Sequence, residues 1–189
     1  MRELLNYIKS RVSITASDIK LIETYFTTLS VSANTKLLEA GQVERYIYFL
    51  SSGIVKGYQN IDGKIVIQHL IEQHDVFTSL ESFMTKTPSI DYYETVTNCT
   101  VLRISKKDFD FMRDNTSFWN EFVELVTNEH LNCKLDRVKD FQLLTAKERY
   151  LKFINQFPNL ALNVSVENMA SFLGIEPQSL SRIRKQVTF

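Results

Sequence analysis

The sequence predicts an α+β fold in which a small antiparallel β-barrel or jelly roll is followed by a long helix and an all-α segment. Four of the five glycines lie between Gly41 and Gly63, in a region dense in Val, Ile, Tyr and Phe. Short alternating apolar runs in that region are typical of strands. Between Lys106 and Gly174 there is no further glycine and only one proline, Pro158, so helices are expected there.

The β region has a regular spacing of strands and turns. Residues 46–71 predict three strands separated by turns at Ser52-Gly53 and Asp62-Gly63, because Asp-Gly supplies the positive φ that a tight two-residue turn requires. Further strands are predicted within residues 91–105, and helices over 2–9 and 15–28 precede the barrel. Many short strands at this spacing indicate a small barrel or jelly roll, which we place in a first domain at residues 1–115.

A long helix is predicted over residues 116–142, with apolar residues spaced three, four or seven apart. The barrel would cover one side of such a helix, and a second copy of the chain could cover the other. We therefore expect a homodimer, with simple packing on the barrel as the alternative. The apolar stripe assigned to the dimer helix is Phe118, Phe122, Leu125, Val126 and Cys133.

The last segment, residues 143–189, predicts a helix that ends before Pro158 and then two shorter helices. Ser165 is a suitable N-cap for the first of these two helices, and Gly174 suits the left-handed residue that ends it. Pro177 then fits the first turn of the second helix. Two short helices joined by a glycine turn form a helix-turn-helix.

The second helix of this motif predicts an inner apolar face and an outer polar face. At 100° per residue, Leu180, Ile183 and Val187 share one side and can pack on the preceding helix. Arginine can donate two hydrogen bonds to guanine, glutamine can donate to and accept from adenine, and lysine suits phosphate. The outer face, which we assign to double-stranded DNA, comprises Gln178, Ser179, Ser181, Arg182 and Lys185.

The distribution of charge supports this assignment to DNA. The chain carries no formal net charge, yet residues 145–189 hold six Lys or Arg against three Glu, leaving residues 1–144 at minus three. This asymmetry indicates that the C-terminal segment binds a polyanion.

The sequence has few features that would support an enzyme or a metal-binding protein. The two cysteines, Cys99 and Cys133, are isolated, and no P-loop, GxSxG or HExxH motif is present. His69 and His74 raise the alternative of a cupin-like metal site, but no later strand supplies the remaining ligands. We expect no catalytic residues, no metal and no cofactor. The charged N-terminus and short apolar runs predict a cytoplasmic protein without a membrane segment.

With a barrel, a long helix and a helix-turn-helix in this order, the chain from Thr35 onward resembles the Crp/Fnr family of bacterial transcription regulators. The resemblance rests on "GQVERYIYFLSSGIVKGY", "DGKIVIQHLIEQHDVF" and "CTVLRIS", and most specifically on "ENMASFLGIEPQSLSRIRK". It implies a cyclic nucleotide-binding-like barrel, a dimer bound to a palindromic operator, and RNA polymerase as a further candidate partner. It also implies that Gln178 and Arg182 contact bases, while Ser179 and Lys185 lie near the DNA backbone.

Two departures from the family pattern change what the resemblance implies. Members that bind cyclic nucleotides carry a glycine–glutamate pair and, about ten residues later, an arginine–serine pair. Here Thr78 and Ser79 stand at the first pair, and Ser89 and Ile90 at the second. Because the ribose-binding acid and the phosphate-binding arginine are missing, we expect a degenerate effector pocket, no response to cyclic AMP, and any effector to be an unidentified small molecule.

The second departure concerns the wing, a two-stranded hairpin that the family commonly adds after the recognition helix. This sequence stops at Phe189, so a helix-turn-helix without a full wing and with fewer phosphate contacts is expected. The function predicted overall is a dimeric, sequence-specific DNA-binding transcription regulator. The alternative is a barrel module that binds a ligand or partner but does not read DNA.

Overall fold

The computed structural model describes residues 1–187; Thr188 and Phe189 lie outside the described residues. Two four-stranded antiparallel sheets form the first part of the molecule, in the orders β1-β8-β3-β6 and β2-β7-β4-β5. The first sheet consists of β1 (Thr27–Val31), β8 (Cys99–Ser105), β3 (Tyr46–Ser52) and β6 (Asp75–Phe77). The second consists of β2 (Lys36–Leu38), β7 (Tyr92–Thr95), β4 (Val55–Ile61) and β5 (Lys64–Ile71).

These two sheets face each other as a jelly roll rather than a closed barrel. Successive side chains of a strand point to opposite faces of the sheet, and both faces of the first sheet are buried. Tyr48 and Val101 point into the space between the sheets, whereas Phe49 and Leu102 point outward into a core shared with helices. The predicted jelly roll is therefore confirmed.

The turns lie where the sequence predicts them, but one of them does not close a hairpin. Asp62 and Gly63 adopt φ values of 51° and 86°, and they connect the paired strands β4 and β5. The turn at Gly53 instead carries the chain from β3 in one sheet to β4 in the other. Gly53 is required at this crossing because its φ is 101° and a Cβ atom would lie 2.6 Å from the carbonyl oxygen of Asn98.

Four helices cover the outer face of the first sheet: α1 (Arg2–Lys9), α2 (Ala16–Tyr25), α4 (Lys106–Asn115) and the first turns of α5 (Ser117–Leu143). A short helix, α3 (Leu80–Thr85), lies between β6 and β7. The helix predicted to reach residue 28 ends at Tyr25, because residues from Thr27 onward pair with β8 instead. The packing of α2 is anchored by Ile22, which is fully buried.

The C-terminal part has four helices: α6 (Ala146–Gln156), α7 (Pro158–Asn163), α8 (Val166–Leu173) and α9 (Pro177–Gln186). Helix α7, which the sequence analysis does not predict, begins at the proline that ends α6. Met169, Ala170 and Leu180 form the buried centre of this unit. Within residues 1–187, no helix is both long and apolar enough to cross a membrane.

Candidate nucleic-acid interface and sensor pocket

Helices α8 and α9 form the predicted helix-turn-helix. The Ser165 side chain accepts a hydrogen bond of 3.2 Å from the backbone N–H of Asn168, so it caps α8 as expected. Gly174 adopts the left-handed conformation at φ 62°, and Pro177 begins α9. A Cβ at Gly174 would lie 2.6 Å from the ring of Phe141, so both the conformation and the packing require glycine.

The two faces of α9 are divided as the helical wheel predicts. Leu180 is fully buried, and Ile183 and Val187 are half-buried in the same apolar cluster. Ser179 is half-buried and accepts a 3.3 Å hydrogen bond from Nη2 of Arg182. The remaining residues assigned to DNA are all exposed: Gln178, Ser181, Arg182 and Lys185.

The basic residues of α9 lack the ion pairs that seven other Lys and Arg side chains form with carboxylates in the described chain. Lys152 pairs with Asp140 at 2.6 Å, and Lys56 pairs with Glu94 at 3.0 Å. In the part of the chain that the structure describes, no carboxylate pairs with Arg182, Arg184 or Lys185. Three unneutralised cations on one exposed helix can contact a polyanion without breaking an internal ion pair.

Most of the residues predicted for the dimer helix lie in the core of this chain. Phe118, Phe122 and Val126 are buried beside the sheet and the N-terminal helices, so they are not available to a partner. Leu125 is 37% exposed, and Cys133 is exposed as well. The predicted stripe therefore combines buried residues from the early turns of α5 with two residues, Leu125 and Cys133, that lie on its exposed side.

The exposed apolar face of α5 begins further along the helix. Leu131, Leu135 and Val138 are 53%, 49% and 52% exposed, and their spacing of four and then three places them on one side. This spacing is that of a helix–helix seam. These residues are not part of the predicted stripe, although their spacing of four and three can be seen in the sequence.

Two of the residues predicted to form a degenerate effector pocket, Ser79 and Ser89, hydrogen-bond to each other and to neighbouring residues. The hydroxyl of Ser79 lies 2.9 Å from that of Ser89 and donates to Oδ2 of Asp91 at 2.7 Å. Oδ1 of Asp91 accepts from the side-chain amide of Gln59 at 2.9 Å. The Asp91 carboxylate, which the sequence analysis missed, places negative charge beside the predicted phosphate position and would repel a phosphate there.

The other two residues assigned to this pocket have different environments. The hydroxyl of Thr78 donates to the carbonyl of Tyr46 at 2.9 Å, and the carbonyl of Thr78 accepts from the hydroxyl of Tyr93 at 3.0 Å. Ile90 is 66% exposed, so its side chain does not line an enclosed site. The structure therefore brings Ser79 and Ser89 together, whereas Thr78 and Ile90 do not join their hydrogen bonds.

The two histidines considered as metal ligands have separate surroundings. The ring of His69 stacks on Tyr93, and that of His74 stacks on Phe49 on the helix-covered side of the first sheet. Burial and, to a lesser extent, the nearby cations Lys134 and Arg137 of α5 lower the pKa of His69 to about 4. His69 is therefore a neutral side chain at physiological pH.

The helix-turn-helix contacts the jelly roll through the free edge of β5. The hydroxyl of Ser171 in α8 hydrogen-bonds to the backbone of Ile65 and Ile67. The guanidinium of Arg137 in α5 donates to the carbonyl of Gln68 and lies 4.4 Å from the ring centre of Phe172. These contacts connect the sheet, the long helix and the recognition unit within one chain.

Comparisons with known proteins agree with this architecture. Residues 28–116 match the family model of the cyclic nucleotide-binding domain. The comparison with curated proteins gave no significant match.

Solved structures match nearly the whole chain. FixK2 from Bradyrhizobium japonicum has a TM-score of 0.73 at 19% identity, over 86% of this chain and 84% of that chain. The c-di-GMP-responsive global regulator CLP from Xanthomonas campestris has a TM-score of 0.71 at 14% identity, over 92% and 91%. A protein from Eubacterium rectale assigned to the crp/fnr family of transcriptional regulators has a TM-score of 0.71 at 12% identity, over 92% and 83%. Residues 28–116 are therefore similar to the cyclic nucleotide-binding domain, and the chain has the overall fold of solved structures that include a regulator of the crp/fnr family.

Proposed function

We propose that this chain is a dimeric, sequence-specific DNA-binding transcription regulator that does not respond to cyclic AMP. The observation that carries the proposal is the outer face of α9, where Gln178, Arg182 and Lys185 are exposed on a helix whose opposite side is fixed by buried Leu180. A rigid helix with such a face is suited to the major groove.

The polar residues of α9 are proposed to contact different parts of the DNA. Gln178 and Arg182 are proposed to read base edges, each bidentate contact contributing about 1–3 kcal/mol of discrimination. Ser179 holds Arg182 through the 3.3 Å hydrogen bond, and Ser181 lies at the edge of the same face. Lys185 is proposed to contact phosphate, which adds affinity without sequence preference.

Two copies of the chain are proposed to dimerise along α5 through Leu131, Leu135 and Val138. The proposed seam is supported by the exposure and spacing of these three side chains. Two recognition helices held by such a seam would enter successive major grooves about 34 Å apart and read a palindrome.

We infer three domains at the predicted boundaries: a sensor at 1–115, the dimerisation helix at 116–142 and the DNA-binding unit at 143–189. This division is supported by the apolar cluster between the two sheets and by a second cluster built mainly from α6 to α9, on which Ile54, Leu70 and Val96 of the first domain also pack. The effector remains unidentified, and RNA polymerase remains a candidate partner. A signal at the sensor would reach α9 through α5 and the contact between β5 and α8.

The test is selection of binding sites from a random DNA pool by the wild-type protein, Arg182→Ala and Arg113→Ala. Arg113 is a suitable control because it is exposed in α4, far along the chain from α9, and pairs with Asp110 and Asp114. We expect wild type and the control to recover a palindrome with half-sites one helical turn apart, and Arg182→Ala to lose it. If none of the three proteins enriches a sequence, the alternative of a barrel module that does not read DNA is favoured.

A further inference from the structure

Arg103 is a half-buried cation without a carboxylate partner. It lies on β8, next to Tyr48 of β3 in the register of the first sheet. Among residues 1–187, no Asp or Glu forms an ion pair with its guanidinium, and its Nε atom is buried without a hydrogen-bond acceptor. No carboxylate of the described chain compensates the charge of this guanidinium, so an anion bound beside it would supply the missing negative charge.

Two tyrosines hold the guanidinium in place. The Arg103 guanidinium lies 4.2 Å from the ring centre of Tyr46, within the range of a cation–π contact. Tyr48 is 3% exposed and interacts electrostatically with Arg103. Burial raises the pKa of Tyr48, so its hydroxyl stays protonated and can donate a hydrogen bond.

Arg103 and Tyr48 line an open cleft between the edge strands β1 and β2. The cleft has a volume of about 380 Å³, which falls in the range of small-molecule sites. Its apolar lining comes from Leu29, Val31 and Leu37. The hydrogen-bonded groups of the degenerate effector pocket, Ser79, Ser89 and Asp91, are not among the residues that line it.

We propose that this cleft binds a small organic acid, with its carboxylate on Arg103 and its apolar body against the aliphatic side chains of β1 and β2. The guanidinium fork matches a carboxylate with two parallel hydrogen bonds, and Tyr48 can supply a third donor. A carboxylate carries one negative charge, which one arginine balances, whereas a phosphate monoester carries about 1.5 to 2. This proposal is independent of DNA binding.

The experiment measures binding of sodium benzoate to the full-length protein by saturation-transfer NMR. Benzamide is the uncharged probe of the same shape, and inorganic phosphate is the anion without an apolar body. The proteins are wild type, Arg103→Gln, Arg103→Lys and Arg113→Gln, with circular dichroism to verify that each is folded. Arg103→Lys keeps the charge but removes the planar fork.

We expect benzoate to bind wild type and Arg113→Gln equally, and Arg103→Gln at least about tenfold more weakly, as the loss of a charge-assisted contact implies. Arg103→Lys should be intermediate, and benzamide and phosphate should not compete. The proposal is overturned if benzoate fails to bind wild type, if folded Arg103→Gln binds it equally well, or if phosphate or benzamide binds as tightly as benzoate.

Discussion

The hydroxyl of Ser171 accepts a hydrogen bond from the backbone N–H of Ile67 at a distance of 2.9 Å. The same hydroxyl donates to the carbonyl of Ile65 at 3.2 Å. Strand β5 is an edge strand, so its outer N–H and C=O groups have no neighbouring strand to pair with. A side chain of the helix-turn-helix thus hydrogen-bonds to unpaired backbone groups at the edge of the jelly roll, and this contact between the two units can be tested.

Replacing Ser171 by Ala should expose the Ile67 amide to solvent exchange. A neutral hydrogen bond contributes about 0.5–1.5 kcal/mol, so we expect Ile67 to exchange about twofold to tenfold faster. Native-state hydrogen exchange followed by NMR measures this directly.

The matched control for this experiment is Ser181→Ala, because Ser181 is exposed on α9 and forms no hydrogen bond with β5 among residues 1–187. It should leave the exchange of Ile67 unchanged. Equal protection of Ile67 in wild type and Ser171→Ala would show that the contact between α8 and β5 does not persist in solution.

Local signals in the sequence predict most of the fold. Ser165, Gly174 and Pro177 each fix backbone geometry by their own chemistry, so α8 and α9 begin and end where predicted. Strand pairing is harder to predict, because it joins residues far apart in the chain. The order β1-β8-β3-β6 combines strands from both ends of the sensor, and no local pattern specifies that β3 and β4 belong to different sheets.

The same distinction between local and long-range contacts applies to the candidate site. The outer face of α9 follows from a helical wheel, since one buried residue, Leu180, fixes the rotation of a short helix. The hydrogen bonds from Gln59 and Ser79 to Asp91 join three separate segments of the chain. The residue types at the predicted pocket positions could therefore show that an arginine is missing. They could not show that the Asp91 carboxylate lies in its place.

The two apolar faces of α5 should respond differently to substitution. Leu135→Glu places a charge in the proposed seam and should convert a dimer to a folded monomer, as measured by analytical ultracentrifugation. Phe122→Ala removes a ring from the chain's own core and should instead lower the free energy of unfolding by about 3–5 kcal/mol.

Leu162→Glu is the control for the dimer measurement, since Leu162 is 85% exposed on α7, outside the long helix. It should leave the sedimentation of the protein unchanged. A Leu135→Glu protein that still sediments as a dimer would rule out the seam through Leu131, Leu135 and Val138.

Cyclic AMP should not bind at physiological concentrations. Its phosphate would meet the Asp91 carboxylate rather than an arginine, and the hydroxyls of Ser79 and Ser89 are already engaged. Isothermal titration calorimetry with wild-type protein should therefore give no binding heat. The same titration with Asp91→Asn separates charge repulsion from the missing arginine, and we expect no binding there either. Micromolar affinity of wild type for cyclic AMP would refute the prediction.

Glu44 is a buried carboxyl group that should make stability depend on pH. It is 3% exposed, and its Oε1 accepts hydrogen bonds from the backbone N–H groups of Arg45 and Tyr46. Its Oε2 is buried and has no hydrogen-bond partner among the described residues. Burial raises the pKa of Glu44 from 4.5 to about 7, and the two backbone hydrogen bonds oppose that shift.

Because the pKa of Glu44 is higher in the folded state than in the unfolded state, the folded state binds the proton more tightly. The stabilisation is complete below pH 4.5 and is lost as the pH rises through about 7. The amplitude is about 3 kcal/mol at 1.36 kcal/mol per pKa unit. Glu44→Gln, which cannot ionise, should keep its stability above pH 7, whereas the wild-type protein loses it.

Urea unfolding at a series of pH values between 4 and 9 measures this difference. Glu81→Gln is the control, because Glu81 is exposed on the neighbouring helix α3 and should leave the pH profile of the wild type unchanged. Other titrating groups contribute equally to all three proteins, so the informative quantity is the difference between Glu44→Gln and wild type at each pH. That difference should grow between about pH 4.5 and pH 7, where Glu44 is ionised in the unfolded state but still protonated in the folded state, and it should level off at higher pH. A constant difference across the range would mean that Glu44 ionises with the same pKa in the folded and unfolded states.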